Sequence, residues 1–121
     1  MYELVVETDF AAAHSLRGYH GKCENLHGHN WKIQVVLSAG RLDGLGMVLD
    51  FKDVKSIADE ILEDFDHKNL NDLEYFKKDN PTTENVSRVL YAEFSKKLPK
   101  GVSVRKITVW ESDRCGASYF E

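Results

Sequence analysis

The stretch Cys23-Glu24-Asn25-Leu26-His27-Gly28-His29-Asn30-Trp31-Lys32-Ile33-Gln34-Val35-Val36-Leu37-Ser38 decides how this chain folds. Trp31, Ile33, Val35 and Leu37 alternate with Lys32, Gln34 and Ser38. That alternation predicts a β-strand over residues 29–38 with one apolar face. Residues i and i+2 of an extended segment point to the same side, so His27 and His29 can grip one metal ion together. A third histidine would give zinc three neutral ligands and keep one coordination position for a substrate oxygen or water. Cys23, upstream of the pair, would then be a reactive thiol beside the metal.

Working outward, residues 2–13 alternate in the same way, with Leu4, Val6 and Phe10 on one parity, and read as a first strand. His14 keeps that parity if no bulge intervenes. It is the best candidate for the third ligand, because a sheet can bring the end of one strand beside the start of the next. Residues 15–28 form a long polar loop of the kind usually kept for a function. Ser38-Ala39-Gly40 and Asp43-Gly44-Leu45-Gly46 then break the strand pattern. Phe51, Val54, Ala58, Ile61 and Phe65 recur at helical spacing behind a plausible N-cap, Asp50, which predicts a helix over 51–65. Val86, Val89, Leu90 and Phe94 mark a second helix over 83–97, capped by either Asn80 or Thr82. Residues 102–111 return to strand with Ile107 and Val109 on one parity, and 117–120 form a short last strand. The order ββααββ predicts a single α+β domain over residues 1–121. In it both helices pack on one face of a four-stranded antiparallel sheet. Two helices leave the other sheet face short of cover, so self-association is expected.

Composition narrows the function. Sixteen basic and twenty acidic side chains give a net charge of −4, which offers no broad footprint for nucleic acid or an anionic membrane. No stretch approaches the apolar length of a membrane span. The first residues, Met1-Tyr2-Glu3-Leu4-Val5-Val6-Glu7, are acidic and alternating, unlike an export signal. A cytoplasmic protein is expected, in which the cysteines are metal-binding, catalytic or inert rather than paired.

Four further groups carry candidate chemistry. Cys23 is either a fourth metal ligand, which would close the site, or a base or nucleophile whose thiolate the dication favours. Asp66-His67 pairs a carboxylate with an imidazole, as in a proton relay, provided a turn lets adjacent residues face each other. The alternative is a histidine that merely complements a helix C-terminus. Glu111 follows Trp110 on the parity of Ile107 and Val109, where an aliphatic side chain is expected. It either frays into water or faces inward, where its carboxylate needs hydrogen-bond donors such as the amino-pyrimidinone edge of a pterin or guanine. His20 reads as a solvated loop residue, Cys115 as structural or inert, and Trp31 and Trp110 as packing residues.

Taken together the motifs resemble the 6-pyruvoyltetrahydropterin synthase family, and within it the bacterial 6-carboxytetrahydropterin synthase branch. The resemblance rests on Phe10-Ala11-Ala12-Ala13-His14-Ser15-Leu16, the Cys23–Asn30 run and Gly46-Met47-Val48-Leu49-Asp50-Phe51. It continues through Asp66-His67-Lys68-Asn69-Leu70-Asn71, Pro81-Thr82-Thr83-Glu84-Asn85 and Trp110-Glu111-Ser112. These occur in the family's order and span nearly the whole chain. The resemblance implies the tunnelling fold, assembled as trimers or as dimers of trimers with sites at subunit interfaces. It implies zinc ligands at His14, His27 and His29, a catalytic thiol at Cys23 and a proton-relay pair at Asp66 and His67. It also implies a pterin-anchoring glutamate at Glu111, and a pocket-lining segment at Thr82, Thr83 and Glu84 contributed by a neighbouring subunit. Three residues separate Cys23 from His27, the interval of the bacterial branch.

The expected activity is therefore zinc-dependent conversion of 7,8-dihydroneopterin triphosphate to 6-carboxy-5,6,7,8-tetrahydropterin, acetaldehyde and triphosphate. The resemblance places that lyase step in 7-deazaguanine and queuosine formation. Two other readings stand beside it: elimination of triphosphate to give 6-pyruvoyltetrahydropterin, and a non-catalytic assembly protein stabilised by a closed zinc site.

Overall fold

The computed structural model describes residues 1–121, with the side chain of Cys23 outside the described residues. Strand β1 (Tyr2–His14) pairs antiparallel with β2 (His27–Ala39) over the whole of both strands. Helix α1 (Phe51–Leu62) follows, then a two-residue strand β3 (Lys68–Asn69) and helix α2 (Thr83–Ser95). Strands β4 (Val102–Trp110) and β5 (Gly116–Tyr119) complete a sheet of order β3-β1-β2-β4-β5.

Three expectations are corrected. The sheet has five strands rather than four, and it is mixed, because β3 runs parallel to β1 through Ala12–Lys68 and Ala13–Asn69. A two-residue strand is too short to leave any alternation in sequence. The first helix ends at Leu62 rather than Phe65. A tight turn follows, in which the amides of Phe65 and Asp66 both donate to the Leu62 carbonyl (3.0 and 2.8 Å). Phe65 still lands in the core, fully buried, so its helical spacing reported burial correctly and the element wrongly. The second helix likewise stops at Ser95 rather than Lys97.

The inward face of the sheet follows parity. Val6, Phe10 and Ala12 of β1 and Trp31, Ile33, Val35 and Leu37 of β2 are buried against Val54, Ala58 and Ile61 of α1 and Val86, Leu90 and Phe94 of α2. On β4 the parity changes, since Val104 and Ile107 are both core residues. A β-bulge explains it. Val36 pairs with Lys106 but Leu37 pairs with Val104, which leaves Arg105 as the extra residue. The side chain of Asp50 caps α1 at Lys52 N (2.9 Å), and Thr82, not Asn80, caps α2 at Asn85 N (3.1 Å). Phe10 stacks on Trp31 (5.9 Å, 3° between planes), and Trp31 Nε1 donates to the Ala12 carbonyl (3.1 Å). That packing pins the two strands together one step below the histidines.

Candidate metal centre and active site

Register builds the centre. In the β1–β2 ladder His14 sits opposite His27, and Ala12 opposite His29, so all three imidazoles share the inward side at one end of the sheet. A one-residue slip would send them outward. Their ring centroids lie 4.7 Å (His14–His27), 5.2 Å (His14–His29) and 4.8 Å (His27–His29) apart. Trp31 forms the floor, edge-on to His14 at 4.8 Å and to His29 at 5.5 Å.

Backbone carbonyls orient two of the rings. His14 Nδ1 donates to the Pro81 carbonyl (2.8 Å), and His27 Nδ1 donates to the Asn25 carbonyl (2.7 Å). A donor at Nδ1 leaves the Nε2 lone pair free, the tautomer a metal needs. His14 is almost fully buried, and desolvation lowers its pKa against the opposing pull of the Pro81 bond and the Glu111 charge. It is therefore neutral at pH 7. Both His14 Nε2 and His29 Nε2 are buried without a hydrogen-bond partner among the described residues.

Glu111 turns inward at the end of β4. One carboxylate oxygen, Oε2, accepts from Thr83 Oγ1 (3.0 Å). The other, Oε1, lies 2.8 Å from His29 Nε2 and 3.8 Å from His14 Nε2. The shorter approach is off the line of a hydrogen bond, which is why His29 Nε2 still lacks a partner. Where these nitrogens carry lone pairs, as His14 Nε2 does, a carboxylate oxygen this close is repulsive unless a positive species is shared. One ligand atom from each of His14, His27, His29 and Glu111 lies within 4.8 Å of the others, and this N3O set suits zinc. The residues fit a divalent cation.

The proton-relay pair also forms. His67 takes a left-handed conformation (φ 59°), which swings its ring back so that Nδ1 meets Asp66 Oδ2 at 2.9 Å. Asp66 Oδ1 accepts from Ala11 N (2.9 Å), and His67 N donates to the Ala11 carbonyl (2.6 Å), which anchors both residues to the edge of β1. The Ala11 bond, then His67, holds the Asp66 carboxyl below its ordinary range. The His67 side chain is 82% exposed and stands outside the histidine–glutamate group. It borders an open surface groove of about 520 Å³ whose floor is small, Ala11, Ala13 and Gly28, with His29 and Lys68 also lining it.

The side chain of Cys23 lies outside the described residues, so its candidate role has no geometry here. Thr82 spends its hydroxyl on capping α2. Thr83 reaches Glu111 of its own chain, while Glu84 is exposed. His20 and Cys115 are exposed. Sequence reasoning missed the Pro81 and Asn25 carbonyls that orient the rings, because nothing in local sequence reports which distant carbonyl meets a side chain.

Fold and site together define a class: an α+β protein with helices on one sheet face and a three-histidine, one-carboxylate centre where the first two strands pair. Comparison with known proteins gives the family. A family model described as 6-pyruvoyl tetrahydropterin synthase matches residues 3–121, and the chain belongs to that family. An Archaeoglobus fulgidus protein, named provisionally as a 6-carboxy-5,6,7,8-tetrahydropterin synthase, is 40% identical over 108 residues, covering 89% of this chain and 86% of its own. The dihydroneopterin monophosphate aldolase of Pyrococcus furiosus is 33% identical over 113 residues, covering 93% and 92%. The structure of Caenorhabditis elegans 6-pyruvoyl tetrahydropterin synthase superposes with a TM-score of 0.87 at 29% identity, over 99% of this chain and 95% of the other.

Proposed function

We propose that this chain is a zinc-dependent lyase that converts 7,8-dihydroneopterin triphosphate to 6-carboxy-5,6,7,8-tetrahydropterin, acetaldehyde and triphosphate, on the route to 7-deazaguanine nucleosides such as queuosine. The observation that carries the reading is the convergence of buried, partnerless His14 and His29 Nε2 atoms with His27 and the Glu111 carboxylate. His14, His27 and His29 would hold the zinc. Bound there, it would act as a Lewis acid toward the hydroxyls of the substrate side chain.

The remaining roles belong to the chain. Glu111, already held through Oε2 by Thr83, anchors the N–H donors of the pterin ring and so sets the register of the reacting carbons. Thr82, Thr83 and Glu84 line the pterin pocket. Cys23 takes or returns a proton at the pterin side chain. His67, oriented by Asp66 at 2.9 Å, handles the complementary transfer.

A homo-oligomer, a trimer or a pair of trimers, completes this reading. His67 is largely exposed at the sheet edge, where a second copy would enclose it. β1 pairs with β3 only at Ala12 and Ala13, so most of its outer edge can accept another strand. The activity is read as that of a single domain over residues 1–121 working in the cytoplasm. No helix among the described residues is long and apolar enough to cross a membrane.

A second reading has specific support in the named activity of the Pyrococcus relative: aldol cleavage of the side chain of dihydroneopterin monophosphate. One experiment separates the possibilities. Zinc-loaded protein is incubated anaerobically with dihydroneopterin triphosphate, and in parallel with the monophosphate, and the products are identified by mass spectrometry. Acetaldehyde with 6-carboxytetrahydropterin is the expected result. Triphosphate without acetaldehyde indicates the 6-pyruvoyl product, and a phosphorylated two-carbon aldehyde from the monophosphate indicates the aldolase. Zinc binding with no turnover of either substrate would leave only the assembly-protein reading.

A further inference from the structure

We propose that Asn71 and Asn80 are positioning residues for His14: two side-chain amides that clasp the backbone leaving β1 and so fix where its imidazole presents Nε2. The inference rests on the metal-site reading above and concerns residues that touch neither metal nor substrate.

The geometry is specific. Ser15 N donates to Asn71 Oδ1 (2.8 Å), and Asn71 Nδ2 donates to the Ser15 carbonyl (2.9 Å). Two residues on, Arg17 N donates to Asn80 Oδ1 (2.9 Å), and Asn80 Nδ2 donates to the Arg17 carbonyl (2.9 Å). Each amide completes both backbone groups of one residue, as a neighbouring strand would. Only a carboxamide offers a donor and an acceptor side by side, so aspartate or serine cannot reproduce either clasp. The Arg17 guanidinium tightens the same junction through the carbonyls of Phe76 and Asp79.

The second clasp closes a circuit. Asn80 directly precedes Pro81, whose carbonyl accepts from His14 Nδ1 (2.8 Å). Asn85 Nδ2, from the first turn of α2, donates to the Asn80 carbonyl (2.9 Å). His14 is thus gripped at its ring by Pro81 and, three residues along the chain, through Arg17 by the neighbour of that same proline. Loosening the circuit lets the His14 ring move relative to His27 and His29, which ride on a different strand. Asparagines that only tidied a loop would affect stability but not the placement of a ligand nitrogen.

The test uses the full chain with Asn71→Ala, Asn80→Ala, the double variant and Asn80→Asp. His14→Ala serves as the ligand control. Tyr91→Phe serves as a distant control that deletes one hydrogen bond, to the Val104 carbonyl (3.3 Å). Zinc affinity is measured by competition with a chromophoric chelator, coordination by the visible spectrum of the cobalt-substituted protein, and folding by circular dichroism and thermal unfolding. Each amide variant should stay folded, bind zinc roughly 10–100-fold more weakly and show altered cobalt bands, while Tyr91→Phe keeps native affinity and spectrum. Should Asn80→Ala fail to fold, Asn80→Asp preserves shape and the bond from Arg17 N and carries the same comparison. Native zinc affinity and cobalt spectrum in the folded double variant, with binding lost in His14→Ala, would sink this inference alone. Zinc binding untouched in His14→Ala would sink the metal-site reading and this inference with it.

Discussion

His14 shows how one buried imidazole is prepared as a ligand. Its Nδ1 is committed to a carbonyl, its Nε2 has no partner, and burial holds it neutral. Because its folded pKa lies below the ordinary 6.5, the unfolded chain takes up this proton at higher pH than the folded chain does. Its contribution to stability is complete above about pH 6.5 and is lost as pH falls through the folded value. Scanning calorimetry of metal-free protein should show the thermal midpoint dropping as pH falls below about 6.5, and His14→Gln should flatten that drop. At the centre itself the roles separate under substitution. His27→Ala should lose metal and turnover together, whereas Cys23→Ala should keep zinc and pterin binding yet lose turnover by about 10²-fold or more. Glu111→Ala should weaken pterin binding with zinc retained. Zinc lost from that variant by metal analysis would make the carboxylate a fourth ligand instead.

At the scale of elements, the start of α2 works hardest. Within three consecutive residues Pro81 orients His14, Thr82 caps the helix and Thr83 holds Glu111. Local backbone order there is coupled to ligand orientation and to the carboxylate at once. Thr82→Ala should cost about 1 kcal/mol of stability through the lost cap, measured by urea unfolding. A loss far below that would mean another group satisfies Asn85 N. The Arg105 bulge matters in the same way. Without the extra residue, aligning Val102 and Val104 with the core would turn Ile107, Val109 and Glu111 to the opposite sheet face.

At the scale of the molecule, the centre joins elements far apart in sequence: the end of β1, the start of β2, the loop before α2 and the end of β4. A cation bound there ties them together in the folded state only, so it should stabilise the fold by mass action. Zinc removal by a chelator should lower the thermal midpoint by several degrees, and restored zinc should recover it. An unchanged midpoint in a protein shown to bind zinc would mean the centre is formed equally well in the unfolded ensemble. The long free edge of β1 makes the same argument for self-association, which light scattering reads directly.

Alternation and helical spacing by themselves determined which way the residues of β1, β2 and the two helices face. That was enough to place His14, His27 and His29 on one face, to find both helices and to bury Trp31. It was enough because pleat and helix periods are local properties of the backbone. Only the tertiary structure decided the parallel strand at Lys68–Asn69, the bulge that keeps Glu111 inward, the left-handed turn that makes Asp66 and His67 face each other, and the carbonyls and amides that aim His14. Those features depend on which distant segments meet when the chain closes. Contacts across some sixty residues, such as Ser15 with Asn71 or Arg17 with Asn80, leave no period in the sequence to read.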